Sequence, residues 1–360
     1  MARVAEKPEL GVFMIQDFDG QVDLEVGGTV GQLSSNAVLS LVGTHCFVCE
    51  KPLTSDNSDT TRITREDLFP KWLKKNFMGP GDKIEKSNGE FILLSKNIDS
   101  TEDLVPCCRN CNNVLMSQVE NRISCGVKGG YARFMKISDS DIFLWSSKII
   151  YGLIYIGVNT WDFSTKEASS GWLKSEALEH LKLTSLLMKG FRKRVVVSSE
   201  KRPFSILKFH LKNSRRTSPN YGYRDSISWP TTLALQMGSV GLIVGFEDFG
   251  FLEWWYDQNY GELLRGKCLH PAQFWEIAGR AVYAGGLGGW DVSYSIIENE
   301  KGMFITLDPR IREGHPEDPQ RLADIVAAFT EIPDLAKIAR PGTTPTLLID
   351  KDGNYQDMPA

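Results

Sequence analysis

The sequence predicts an α+β fold in which a small cysteine-clamped module precedes a larger mixed α+β domain. Two observations carry that expectation. Cys46-Phe47-Val48-Cys49 and Cys108-Arg109-Asn110-Cys111 repeat one Cys-x-x-Cys spacing at the two ends of a polar insert. Beyond them, capped helical patterns alternate with β-rich runs, with no repeat and no low-complexity segment. The 360 residues leave room for two domains, and 42% hydrophobic with 24% charged residues is an ordinary soluble composition. The expected divisions are an extension at 1-43, the module at 44-125 and the domain at 132-360.

The elements follow in order. Alternation in Gly11–Gln16 and Gln21–Val26 around Asp19-Gly20 predicts a hairpin in the extension. In the module, Thr54 to Thr61 reads as a polar loop, Gly79-Pro80-Gly81 as a turn and Phe91–Leu94 as a short strand. Three glycines between Gly126 and Tyr131 predict a linker. The Ser138–Asp141 run caps a helix to about Ile156, and Ser169/Ser170 precede an amphipathic helix (Leu173, Ala177, Leu178, Leu181, Leu186) that stops at Gly190. Arg194–Val197, Pro203–Leu211, Leu242–Gly245 and Asp291–Ile297 are β-rich. Pro271 starts a helix through Ala284, and Pro319 starts another through Thr330 with Asp318 as its cap. A terminal hairpin joins Thr346–Ile349 to Tyr355 across Asp352-Gly353.

Two facing Cys-x-x-Cys knuckles supply the four thiolates that a tetrahedral structural Zn²⁺ prefers: Cys46, Cys49, Cys108 and Cys111. A set of buried thiols or a redox pair has no use for two identical spacings. Cys107 could replace Cys108, though the symmetry of the pairs favours Cys108. Cys125 and Cys268 read as small apolar residues.

The insert carries Ile63-Thr64-Arg65-Glu66-Asp67-Leu68-Phe69-Pro70-Lys71-Trp72-Leu73, and Asp103-Leu104-Val105-Pro106 leads into the second knuckle. Asn112-Asn113 then open a helix from Asn112 to Ile123. Over about residues 44 to 124 this resembles the zinc-ribbon branch of the HNH endonucleases, whose ββα-metal site is a hairpin followed by a helix. The resemblance implies a divalent-metal-dependent nucleic-acid endonuclease, with Glu66 and Asn112 as ligands of a catalytic Mg²⁺ or Mn²⁺ ion. Two positions depart from the family. Asp67 stands where the water-activating His is usual, and Asp103 where the middle Asn is usual.

Hydrolysis by one metal needs a cation on the phosphate and a base for the water proton. Glu66 and Asn112 offer the hard oxygens that Mg²⁺ accepts. An aspartate near pKa 3.9 is a poorer base than an imidazole near 6.5, and general-base catalysis is worth about 10²–10⁴-fold. None of the five histidines falls within the insert, so the expectation is a weak or conditionally activated nuclease. The alternative is a catalytically inactive, zinc-stabilised subunit that binds nucleic acid or forms a complex.

Outside the module, residues 189 to 216 carry ten basic side chains against Glu200 alone, in a chain of net charge −4. Arg192, Lys193, Arg194, Lys201, Arg202, Lys208, Arg215 and Arg216 are the candidate phosphate contacts there, joined by Lys71 and Lys74 beside Trp72. The other reading is a solvated sheet edge guarded by lysines. DNA stands ahead of RNA as the partner, with a protein partner or activating ligand acting through the C-terminal domain. The N-terminus lacks a signal-peptide core and the apolar run Ile149 to Val158 is too short to span a bilayer, so the expectation is cytoplasmic, with no membrane partner. Trp254-Trp255-Tyr256 reads as core, while Asp350–Gly353 and Gly285–Gly289 lack the context of a calcium loop or a dinucleotide site.

Overall fold

The computed structural model describes residues 13–16, 45–56, 60–77, 104–160, 182–192, 194–199, 201–212, 221–226, 231–299, 302–312, 314, 316–336 and 346–359. It is α+β. Strand β1 (Phe13–Gln16) comes first, then β2 (Ile63–Asp67), helix α1 (Lys71–Phe77) and β3 (Leu104–Cys108). A π-helical turn, Cys111–Met116, runs into α2 (Ser117–Lys128), followed by α3 (Asp139–Thr160) and α4 (Lys182–Met188). Strands β4 (Arg194–Ser198), β5 (Phe204–Leu211), β6 (Tyr221–Ser226), β7 (Thr232–Met237) and β8 (Val240–Phe246) follow. Helix α5 (Phe251–Tyr256), β9 (Cys268–Leu269), α6 (Pro271–Leu287), β10 (Gly289–Asn299), β11 (Gly302–Arg312) and α7 (Pro319–Thr330) complete the order.

Strands β2 and β3 form an antiparallel pair, with Ile63 opposite Cys108 and Glu66 opposite Val105. A five-stranded sheet runs β6-β7-β8-β5-β9, and a four-stranded one runs β1-β4-β11-β10. The five-stranded sheet separates two cores, because successive strand residues point to opposite faces. Leu233, Leu235, Leu242 and Val244 pack in a cluster with Phe69, Phe143 and Trp145, whereas Ala234, Ile243, Leu207 and Phe209 pack with Phe274, Ile277 and Ala278 of α6. The first cluster also contains Cys46, Cys111, Leu68 and Leu73, so the cysteine module shares its core with α3 and the sheet. Gly152 permits that contact: a Cβ there would lie 2.1 Å from Leu68 Cδ2.

The capping signals act where they occur. Ser138 Oγ accepts from the Asp141 amide, and Asp318 accepts from the Gln320 and Arg321 amides at the start of α7. His270 and Gln273 form a capping box ahead of α6. Two differences stand out. The expected 126–131 linker is instead the end of α2, a glycine pair and a short helix, Tyr131–Phe134. Gly126 sits inside α2 because a Cβ there would fall 2.7 Å from Ile137 Cγ1, so this glycine serves packing. Trp254, expected in the core, is 59% exposed. Strand β1 pairs in parallel with β4. The turn and second arm of the hairpin expected for the extension, Phe91–Leu94 and the start of the helix expected after Ser170 lie outside the described residues.

Candidate metal centre and acidic site

The β2–β3 pair carries a sulfur cluster at one end. The first knuckle turns at Phe47–Cys49, where the Cys46 amide donates to Lys51 O and the Phe47 amide to Pro106 O, tying the turn to β3. Glu50 closes the turn in a left-handed conformation (φ 58°) and donates its amide to Cys46 O. The Cys111 amide points at Cys108 Sγ, 3.4 Å away. The sulfurs of Cys46, Cys49, Cys108 and Cys111 all lie within 4.8 Å of one another. Zn–S bonds of ~2.3 Å in a tetrahedron put sulfurs ~3.8 Å apart, and Cys49 Sγ lies 3.8 Å from Cys108 Sγ. The four cysteines therefore form a cluster able to hold a metal such as zinc. Cys107 is a fifth thiol, buried with its Sγ 3.6 Å from Cys46 Sγ.

The other end carries charge. Glu66 is buried, and its Oε1 accepts a 2.6 Å hydrogen bond from Lys148 Nζ. Lys148, on α3, is fully buried and also donates to Glu120 on α2 and, at 3.0 Å, to the Asp67 carbonyl. Burial disfavours the Lys148 ammonium, but the Glu120 and Glu66 carboxylates outweigh that and hold it above the ordinary lysine value. Burial pushes the Glu66 carboxyl up, and the Lys148 ammonium opposes the shift.

The expected catalytic residues are arranged as follows. Asn112 lies at the start of the π-helical turn, where its Nδ2 donates to Thr64 Oγ1 at 3.1 Å and to the Arg65 carbonyl at 3.2 Å. Thr64 and Glu66 share a face of β2, so Asn112 meets the hairpin beside Glu66. Asp67 points to the opposite face, where Lys71 (3.7 Å) and Lys74 (3.8 Å) pair with it. Asp103 lies outside the described residues.

The basic segment is divided. Arg202 pairs with Asp139 and Glu253, Lys208 with Asp139, Lys212 with Asp357, and Lys189 with Glu50 and Glu298. Arg192, Arg194 and Lys201 are exposed. Lys193, Arg215 and Arg216 lie outside the described residues. Sequence reasoning missed Lys148 and Glu120. The signal was a single lysine inside the apolar helix from Ile142 to Ile150, which a helical burial pattern places in the core and which there requires an acid partner.

No helix among the described residues is long and apolar enough to cross a membrane. No family model, curated protein or solved structure matches the chain.

Proposed function

We propose that the chain is a zinc-stabilised, non-hydrolytic subunit, built on an HNH-like ββα scaffold, that works by forming a complex. The order β2, α1, β3, π-helical turn and α2, with β2 and β3 paired antiparallel, supports the scaffold, with the cysteine cluster where two knuckles would hold zinc. The observation that carries the non-hydrolytic reading is Lys148, buried between Glu66 and Glu120. A fixed ammonium supplies the positive charge that a nuclease would take from a divalent ion. A divalent cation about 4 Å from that ammonium would meet a repulsion of about 8 kcal/mol at an effective dielectric of about 20. Asp67, on the opposite face of β2 and paired with two lysines, lacks the position of a base aimed at water beside Glu66.

Internal pairing of Arg202, Lys208 and Lys212 argues against a phosphate-tracking surface at these side chains. The deciding experiment incubates the full chain with supercoiled plasmid, single-stranded DNA and RNA in Mg²⁺ or Mn²⁺. Undegraded substrates are the expected result. Cleavage that Glu66→Ala abolishes would overturn the reading and restore Glu66 as a metal ligand.

A further inference from the structure

We infer that the cleft between β5 and the segment after α5 binds a small anion carrying a flat ring, the class of nucleoside monophosphates and aryl carboxylates. The cleft encloses about 220 Å³, and its walls include Tyr131, Lys208, His210, Tyr256, Arg265 and Lys267. Three features converge there.

The first is charge. Among the described residues, three cationic side chains and a single carboxylate, Asp257, line the cleft, in a chain whose net charge is −4. Lys208 is committed to Asp139 (2.8 Å) and the Ile137 carbonyl (3.0 Å). Arg265 and Lys267 are exposed, and neither has an ion-pair partner among the described residues. Lys267 Nζ rests 5.3 Å from the centre of the Tyr355 ring, which holds it at the rim. The acid pairing that neutralises Arg202, Lys208 and Lys212 is missing at these two cations.

The second is a ring platform. Tyr131 and His210 stack in parallel, with centroids 4.9 Å apart and planes 10° from coplanar. His210 is exposed, although it lies on a strand that is otherwise mostly buried. Tyr256 completes the aromatic lining and is fixed edge-on by Phe209 at 5.4 Å. A flat ring joins such a set by stacking worth about 0.5–1.5 kcal/mol beyond the area it buries.

The third is the backbone. Asp257 and Gly261 of the wall belong to the π-helical turn Asp257–Gly261, a deviation from regular helix that frequently accompanies functional sites. A short helix, Glu262–Leu264, leads from it to the Arg265-Gly266 turn, where Gly266 adopts φ +72° and has open space beside its Cα. The anion meets Arg265 and Lys267 at this rim, while the ring lies inward against the aromatic side chains. Tyr131 enters the cleft as the first residue of the short helix that follows α2. None of this depends on whether zinc is bound or Glu66 is catalytic.

The test is calorimetric titration of the full chain with adenosine monophosphate, benzoate, adenosine and inorganic phosphate. At least one aromatic anion should saturate with Kd below about 1 mM, at least about tenfold tighter than phosphate or adenosine; which one does so identifies the source. Arg265→Ala with Lys267→Ala should weaken that binding at least about tenfold. Both residues are exposed, so the fold should tolerate the change. Arg310→Ala, which removes an exposed cation on β11, should leave binding unchanged. The proposal is overturned if neither aromatic anion binds with Kd below about 1 mM, or if the double change leaves binding intact. It also fails if phosphate or adenosine matches them, or if Arg310→Ala weakens binding as much as the double change.

Discussion

The two ends of the β2–β3 hairpin gather their partners over different distances along the chain. At the Cys108 end, each knuckle places two sulfurs within four residues and the hairpin brings the knuckles together. At the Glu66 end, the partner is Lys148, 82 residues away on another element. The sulfur end is a closed set of like ligands able to hold a metal. The acidic end is completed by a side chain of the protein itself. One scaffold thus leaves a metal place at one end and fills the equivalent charge place at the other.

The largest effect should come from the sulfur end. One zinc per chain is expected, and its binding energy (about 10–16 kcal/mol in small zinc domains) is folding energy. Cys46→Ser or Cys111→Ser should give insoluble or partly unfolded protein. Because the module shares its core with α3 and the sheet, chelation should disturb near-ultraviolet circular dichroism well beyond the module. Purified, soluble protein without zinc by elemental analysis would remove one side of the comparison.

The next effect belongs to Lys148. Lys148→Met leaves the buried Glu66 and the half-buried Glu120 without their cation and should cost about 3–5 kcal/mol in chemical denaturation. Adding Glu66→Gln and Glu120→Gln should recover most of that loss. The same single change removes the repulsion against divalent ions, so Lys148→Met should bind Mn²⁺ more tightly than the parent chain. Equal Mn²⁺ affinity in both proteins would mean that the ammonium does not stand in the place of a metal.

These two ends also show why one was legible and the other was not. Identical Cys-x-x-Cys spacings state their geometry within a few residues, as do Asp318 before Pro319 and Ser138 before α3. Pairing between Glu66 and Lys148 depends on how α3 docks, which no local pattern encodes. The missed strands have similar causes. Strand β6, Tyr221–Ser226, contains Gly222, Arg224 and Asp225, poor strand formers that gain their place from α6. Trp275 covers Gly222 and also stacks with the Arg224 guanidinium, 5.2 Å away. Strand β11 contains Pro309, which argues against a central strand. Its pairing with β4 ends at Thr306, so Pro309 interrupts no ladder on that side.

Asp248 supplies a further contrast, as a fully buried carboxylate with no cation in hydrogen-bonding contact among the described residues. Burial raises its pKa from 3.8 to about 7, despite hydrogen bonds from Ser205 and the Gly250 and Leu252 amides. The native state therefore keeps a proton that the unfolded chain releases. Its stabilising contribution is full below about pH 3.8 and is lost as pH rises through about 7. Asp248→Asn fixes the neutral form. Relative to that variant, the parent chain should lose up to about 1.4 kcal/mol per pH unit across this window. Denaturation midpoints at pH 5 and pH 8 measure it, and parallel pH profiles would sink the assignment.

The smallest effect is expected at Asp67, the residue at which a nuclease would depend on its base. Its pairs with Lys71 and Lys74 are long, at 3.7 and 3.8 Å, and the Lys71 side chain is 87% exposed. Solvent-screened pairs of this kind contribute about 0–1 kcal/mol, so Asp67→Ala should shift stability by less than about 1 kcal/mol. Asp67→His restores an imidazole with a pKa closer to neutrality, but on the face of β2 opposite Glu66. A base there cannot reach a water held beside Glu66, and Lys148 still occupies that carboxylate. Asp67→His should therefore cleave neither plasmid nor single-stranded substrate in Mg²⁺ or Mn²⁺. Combining it with Lys148→Met separates the two obstacles. If Lys148 alone blocks the metal, the double variant cleaves and the single one does not. If the orientation of residue 67 also matters, both stay silent while the double variant still binds Mn²⁺. Cleavage by Asp67→His alone would show that the acidic end remains open to a catalytic metal, and the contrast between the two ends of the hairpin would be lost.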